Sequence, residues 1–419
     1  MNVVVIGAQW GDEGKGKIVD FLSSQADTIV RFSGGANAGH TIVHEGKTYK
    51  LHLVPSGIIY PETTVVLGSG MVIDPDALFR ELEELETMGI TWEGRVFISD
   101  RAHLVLPSHR AEDVERDAQR KHPIGTTGRG IGIAYAHKAL RDGIRLADLD
   151  WIAQLSEHSL DDRELVETFR PRLAPMIIDI ASFMHVDGRE SRSGGEGRVL
   201  LEGAQGALLD LDLGTYPYVS SGSSSAAGAA SGAGIGPREL DHVLGVFKAY
   251  TTRVGNGPFP AELDSDREGD LETYIREVGR EYGVTTGRPR RVGYLDLVAL
   301  RYTCLTNGID NLALTHLDVL DDLDEIKVCI AYETDADTLD YFPASIPTLE
   351  RAKPVTRRFS GWKQPIGEIT SFEELPAAAR EYVEFIEGYV GVPVGIISVG
   401  YERRQTIVRI DPWGGSHDG

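Results

Sequence analysis

The sequence predicts an α/β fold: a large, mostly parallel sheet flanked by helices, with small appended regions. Three observations predict it. An apolar, β-branched run, Val3-Val4-Val5-Ile6, leads through a glycine-rich turn into Ile18-Val19-Asp20-Phe21-Leu22, which reads as strand, loop and helix. A second short strand, Thr28-Ile29-Val30-Arg31-Phe32, follows, and two strands flanking a helix favour parallel pairing. Short apolar runs then recur to the end of the chain at Thr64–Leu67, Val96–Ile98, Val199–Leu201, Leu312–Thr315 and Val394–Ile397.

The first turn, Gly7-Ala8-Gln9-Trp10-Gly11-Asp12-Glu13-Gly14-Lys15-Gly16-Lys17, sits where a strand hands over to a helix. That geometry aims backbone N–H groups and a helix N-terminus at a phosphate, so the fold is read as P-loop-like. Gly11 to Lys17 fits G-x-x-x-x-G-K, but Ile18 stands where Ser or Thr would hold Mg²⁺. A carboxylate inside such a loop, Asp12, repels phosphate unless a metal lies between them or the group does chemistry. The plain alternative is a glycine turn with no ligand.

Bulk properties bound the answer. At 419 residues the chain is read as one domain, 1–419, with a peripheral helical region at about 150–197. A net charge of −22 argues against nucleic acid and anionic membranes as partners, so a phosphate site must be built from local basic groups and backbone dipoles. Cys304 and Cys329 are read as free thiols of a reducing, cytoplasmic compartment. The N-terminal apolar run is too short for a signal peptide, and no run approaches the roughly 20 residues of a membrane helix.

Along the chain, His40 to Leu53 alternates and turns at Glu45-Gly46, a hairpin. Asp74-Pro75 opens a helix through Leu82 and Leu85. Leu165 to Met184 has helical spacing. Ser221 to Ala233 is rich in Ser, Ala and Gly, and it reads as an ordered segment rather than a linker. Val243 to Thr251 is a strand, Leu271 to Val278 a helix, Phe342 to Ile369 an irregular surface excursion with four prolines, and Phe372 to Glu387 a helix.

Four more stretches carry chemistry. Ser33-Gly34-Gly35-Ala36-Asn37-Ala38-Gly39-His40-Thr41 follows the second strand. Pro123-Ile124-Gly125-Thr126-Thr127-Gly128-Arg129-Gly130-Ile131-Gly132 packs hydroxyls, N–H groups and an Arg together, which suits a second anion or a flexible turn. Glu202-Gly203-Ala204-Gln205-Gly206 ends a strand at the carboxyl edge of the sheet, where ligands bind. Val284-Thr285-Thr286-Gly287-Arg288-Pro289-Arg290-Arg291 is the densest basic cluster in an acidic chain with only ten lysines, and such a cluster invites anions.

WGDEGKGK followed by GGANAGHT resembles the adenylosuccinate synthetases, and at least six separated motifs in the same order extend the resemblance from Val3 to about Arg409. It implies an enzyme that joins IMP to L-aspartate at the expense of GTP, with one Mg²⁺, as a homodimer. Asp12, His40 and Gln205 are then the catalytic positions, with Asp12 as general base and His40 as a donor to the transferring phosphoryl group. GTP is implied at Gly11, Asp12, Glu13, Gly14, Lys15, Gly16 and Lys17, at Gly39, His40 and Thr41, and at Arg290, His316, Leu317, Asp318, Ser398, Val399 and Gly400. IMP is implied at Asp12 to Lys15, Asn37 to His40, Thr127, Gln205, Ser220 and Arg288, with Arg141 reaching it from the other subunit. Aspartate falls to Val284, Thr285, Thr286, Gly287 and Arg288, and the metal to Asp12 and the Gly39 carbonyl. Asp318 can accept from guanine N1–H and the 2-amino group.

The chain departs from the family's usual residues at Ile133 (Pro), Ser220 (Thr), Pro289 (Arg), His316 (Lys) and Val399 (Thr). Two readings share the first loop and stay open from residues alone. A nucleotide kinase should carry Ser or Thr after Lys17, and a GTP-binding switch needs no aspartate site.

Overall fold

A computed structural model describes residues 1–37, 39–44, 46–119, 126–151, 158–186, 197–283 and 287–414. The chain divides into two compact units. One comprises Met1–Val4, Val19–Ala204 and Ser220–Asp241; the other comprises Val5–Ile18, Gln205–Val219 and His242–Gly419. The α/β expectation holds, with a large and mostly parallel sheet flanked by helices.

In the first unit the strands run in the order Val199–Gly206, Thr28–Gly34, Thr64–Ile73, Val96–Ser99, Ile177–Ile178, all parallel. Ile29, Val30, Val65, Val66, Leu200 and Leu201 are fully buried, as β-branched and aliphatic strands covered on both faces should be. The small-residue segment is ordered: helix Ala226–Ala233 lies so close to this sheet that a Cβ on Gly232 would meet the Phe32 carbonyl at 2.2 Å. Asp74 caps helix Pro75–Thr87 by accepting from the Ala77 N–H at 3.2 Å. The hairpin is present as His40–His44 paired antiparallel with Lys47–Leu51.

One reading of this unit changes. The helical spacing from Leu165 to Met184 is two helices, Leu160–Leu173 and Ile180–His185. Between them a 3₁₀ turn containing Pro175 ends at Ile177–Ile178, which adds a strand beside Ile98 and Ser99. A proline removes a helix donor, and the sheet supplies these residues with partners instead.

In the second unit, His242–Lys248, Asn311–Thr315 and Val394–Ser398 are parallel neighbours. Thr406–Val408 adds an antiparallel edge beyond Val394–Ser398. The stretch read as irregular from Phe342 is in part regular: helix Ile346–Arg351 leads into strand Lys353–Ser360, antiparallel to Glu325–Glu333. Among the described residues Lys353–Ser360 pairs on one side only, and such an edge tolerates Pro354. Helix Leu297–Asn307 is buried through Leu297, Val298, Ala299, Leu300 and Cys304, with Asp296 as its cap. Cys304 and Cys329 are free and buried, and burial pushes the Cys304 thiol up to about 12.

Candidate functional site

The first glycine loop lies in the second unit. Gly11, Asp12 and Gly14 all have left-handed backbone, with φ of 88°, 59° and 78°. For Asp12 that conformation costs energy, and such strain gathers at functional positions. Glu13 is fully buried and turns inward: its Oε1 accepts from the Gly11 N–H at 2.8 Å and the Gln9 N–H at 3.2 Å. Its Oε2 takes Nζ of Lys15 at 2.5 Å. Glu13 therefore holds the loop from inside, while the Asp12 side chain stays 38% exposed.

Gly7 leaves the room this needs, because a Cβ there would fall 2.4 Å from Glu13 Oε2. Gly7→Ala is expected to displace that carboxylate from the loop N–H groups and cost about 2–3 kcal/mol, an unpaired buried acceptor being the largest part. A urea midpoint indistinguishable from wild type would contradict this.

Asp12 faces a buried charge network. Its Oδ2 lies 3.0 Å from Nε of Arg290, whose Nη1 donates to Glu281 Oε2 at 2.6 Å. Lys248 donates to Glu281 Oε1 at 2.7 Å and to Thr252 Oγ1 at 2.6 Å, and Tyr250 donates to the same Oε1 at 2.5 Å. Burial pushes the Glu281 carboxyl upward, but Lys248, His316 and Arg290 outweigh it and hold it down at about 2. Burial pulls Lys248 down, and Glu281 opposes this. Glu281, Lys248 and Tyr250 escaped the sequence reading; a rare lysine at the carboxyl end of a predicted strand was the one hint available.

His316 also has left-handed backbone, φ 57°, at the end of Asn311–Thr315. Burial lowers its pKa to about 4, with Lys248 adding to the effect. Thr315 Oγ1 donates to the Glu13 carbonyl at 2.5 Å, tying this strand end to the loop. Leu317 is buried, and Asp318 lies in the following 3₁₀ turn. Burial raises the Asp318 pKa, and Lys17 opposes it.

Lys17 does not end among the loop N–H groups. Its Nζ donates to Ser398 Oγ at 2.7 Å and to the carbonyls of Gly400 and Gln405 at 2.7 and 2.8 Å. Burial lowers its pKa to about 8. Val399 is fully buried, and its N–H bonds the Gln405 carbonyl at 3.0 Å, so at this position a core side chain stands in place of a hydroxyl. Gln205 has φ 58°, and its Nε2 is buried with no hydrogen-bond partner among the described residues, as expected of a ligand-facing amide. Arg288 is exposed, beside Gly287 with φ 63°.

In the first unit, His40 Nε2 lies 3.4 Å from Oε1 of buried Glu202, whose Oε2 accepts from the Ser56 N–H at 3.0 Å. Gly39 is required by close approach: a Cβ would sit 2.9 Å from the His52 ring. Buried Arg31 and Glu81 clamp the segment after the hairpin. Arg31 donates to the His52 and Gly35 carbonyls, and Glu81 accepts from the N–H groups of His52, Leu53 and Val54 at 2.9, 2.9 and 3.1 Å. Asn37 Oδ1 is buried without a hydrogen-bond partner among the described residues. Thr127 is exposed beside a turn closed by the Gly128 N–H on Thr126 Oγ1 at 2.8 Å. Arg141, exposed and left-handed at φ 71°, ends helix Ile131–Leu140, in which Ile133 is buried. Ser220 is half-buried, and the Thr41 backbone pairs with Lys50. Ala38, Val284, Thr285 and Thr286, and with them most of the aspartate site, lie outside the described residues.

With this geometry in place, the comparisons with known proteins are decisive. The family profile for adenylosuccinate synthetase matches residues 4–407. The chain belongs to the adenylosuccinate synthetase family. It is 48% identical to adenylosuccinate synthetase of Picosynechococcus sp. over 98% of this chain and 96% of that one, and 46% identical to that of Gloeobacter violaceus over the same shares. Its fold matches that of fully ligated adenylosuccinate synthetase from Plasmodium falciparum with a TM-score of 0.88 at 40% identity, covering 97% of this chain and 99% of that one. Adenylosuccinate synthetases are ligases that join IMP and aspartate at the expense of GTP in AMP biosynthesis, and this chain is one of them.

The donor set fits the magnesium such ligases use. Among the described residues no three His, Cys, Asp or Glu side chains gather as a ligand cluster. Mg²⁺ binds by one or two carboxylates, with water and substrate phosphates completing its shell, and Asp12 supplies an exposed carboxylate of that kind.

Proposed function

We propose that the chain works in two steps, with the roles its sequence assigns. Asp12 takes the N1 proton of IMP, and O6 attacks the γ-phosphorus of GTP, giving 6-phosphoryl-IMP and GDP. The neutral amine of L-aspartate then attacks C6, phosphate leaves with the O6 oxygen, and the amine proton is released. The observation that carries this reading is Asp12 itself, a strained, accessible carboxylate in a phosphate-binding loop, anchored by Arg290 on one side.

His40, held by Glu202, donates to the transferring phosphoryl group, and Gln205 brings its buried amide to IMP. Loop N–H groups, Lys15 and Arg290 meet the GTP phosphates. Lys17 acts at one remove, by fixing Ser398 and Gly400 where the nucleotide base would rest. Asp318 selects guanine. Asp12 and the Gly39 carbonyl would hold Mg²⁺, which would supply positive charge against the phosphates. Thr127 and Ser220 contact IMP, and Thr285 to Arg288 take the aspartate carboxylates. The whole chain, 1–419, forms one functional enzyme in the cytoplasm. It is a homodimer, with exposed Arg141 entering the neighbouring subunit's site.

The test is an assay with IMP, aspartate, GTP and Mg²⁺, leaving out one component at a time and replacing GTP by ATP. Adenylosuccinate absorbance should appear only with the full set. Phosphate release without IMP and aspartate would make this a GTPase, and phosphoryl transfer without aspartate a kinase.

A further inference from the structure

Both oxygens of buried Glu281 are committed. Oε2 takes Nη1 of Arg290, and Arg290 goes on to Asp12. Oε1 takes Lys248 and the Tyr250 hydroxyl. The Tyr250 oxygen also lies 3.3 Å from Nδ1 of His316, with the two rings edge to face at 5.9 Å.

Counting protons settles the direction of that last contact. A tyrosine hydroxyl has one proton, and an ionised carboxylate can only accept. At 2.5 Å from Glu281 the Tyr250 proton points there, so its oxygen accepts at the His316 contact and Nδ1 of His316 carries a hydrogen. Burial keeps this imidazole neutral at pH 7. A neutral ring with Nδ1–H has a bare Nε2. That nitrogen faces the phosphate loop: a Cβ on Gly14 would lie 3.4 Å from it.

We propose that Glu281 is a positioning residue that, from one buried carboxylate, fixes Arg290 against Asp12 and, through Tyr250, fixes the His316 tautomer beside the nucleotide loop. The proposal rests on the reading of this loop as the GTP site. It separates this chain from relatives with Lys at position 316. There an ammonium, a donor only, lies at the base; here a lone pair is offered, which accepts from N–H donors of a base or from water. Arg290, Lys15 and the loop N–H groups meet the phosphate charge, and the Glu281 anchor holds Arg290 in place among them.

The experiment uses the full chain, ¹⁵N-labelled at histidine, as wild type, Tyr250→Phe, Glu281→Gln and Glu281→Asp. Long-range ¹H–¹⁵N spectra at pH 7 read the His316 tautomer, assigned by the signal lost in His316→Gln, and steady-state assays read kcat and KM for GTP. Wild type should show Nδ1–H. Tyr250→Phe removes the acceptor and should shift His316 to Nε2–H. Glu281→Gln should raise KM for GTP and lower kcat, each by about tenfold, the scale of one charged hydrogen bond, and Glu281→Asp should recover part of both. Wild-type kinetics in Glu281→Gln would overturn the proposal, as would an Nε2–H tautomer in wild type. If Glu281→Gln fails to fold, an unchanged tautomer in Tyr250→Phe overturns it equally. If wild type makes no adenylosuccinate, the functional reading falls, while the tautomer and its response to Tyr250→Phe still decide the proposal.

Discussion

Asp12→Asn is expected to lower kcat for adenylosuccinate formation by at least about 10³-fold, toward the upper end of what one general base contributes. The amide keeps the size of the side chain and one oxygen that can approach a metal, but it cannot take the N1 proton of IMP. It also removes the charge that pairs with Arg290 at 3.0 Å. Asp12→Ala loses all of these functions and should fall at least as far. Binding should survive better than turnover, since Glu13, not Asp12, holds the loop from within through the Gly11 and Gln9 N–H groups. Equilibrium titration with GTP should therefore show a change far smaller than the loss of kcat. A variant Asp12→Asn that keeps a tenth of wild-type kcat would remove Asp12 from the role of base.

The parts of this molecule that were legible in the sequence are those decided locally. Val3 to Ile6 forms a strand because four apolar residues, three of them valine, suit a sheet covered on both faces, and Asp74-Pro75 starts a helix by supplying a cap and a fixed φ. The misreadings occur where distant residues decide. Ile177 and Ile178 continue a helical spacing, yet they become a strand because the edge at Ile98 and Ser99 is open to them. Pro354 suggests an irregular excursion, yet it lies in a strand that, among the described residues, pairs on one side only.

The same division runs through the site. The glycine loop announces itself by spacing, whereas Lys248, Tyr250 and Glu281 are brought together over 31 to 33 residues of chain and belong to no motif. Nor does any pattern reveal that Asp12, Gln205 and His316 adopt left-handed backbone, because only glycine advertises that freedom in a sequence. Lys17 was legible as part of a phosphate motif, but its partners, Ser398, Gly400 and Gln405, lie nearly 400 residues away.

Lys248→Met is expected to destabilise the protein by about 3 kcal/mol or more at pH 7, because it leaves a buried carboxylate with one cation fewer. The Lys248 and Glu281 side chains are 0% and 1% exposed, so water cannot replace the lost ammonium. Arg290 and Tyr250 still reach Glu281, which keeps the loss from rising further.

The dependence on pH distinguishes this cause from lost packing. In wild type the folded Glu281 carboxyl, at about 2, lies below its ordinary value of 4.5. Ionised Glu281 thus stabilises the fold above about pH 4.5, and that contribution fades as the pH falls toward 2. Without Lys248, burial is less well opposed and the folded pKa rises, so the variant is relieved by protonation at a higher pH than wild type. The stability gap between the two, from urea midpoints, should be widest near neutral pH and narrow as acid is added. Adding Glu281→Gln to Lys248→Met should restore part of the loss, since it removes the unpaired charge. A gap that is constant from pH 7 to 4, together with a double variant as unstable as the sum of the singles, would mean that the pair contributes packing alone.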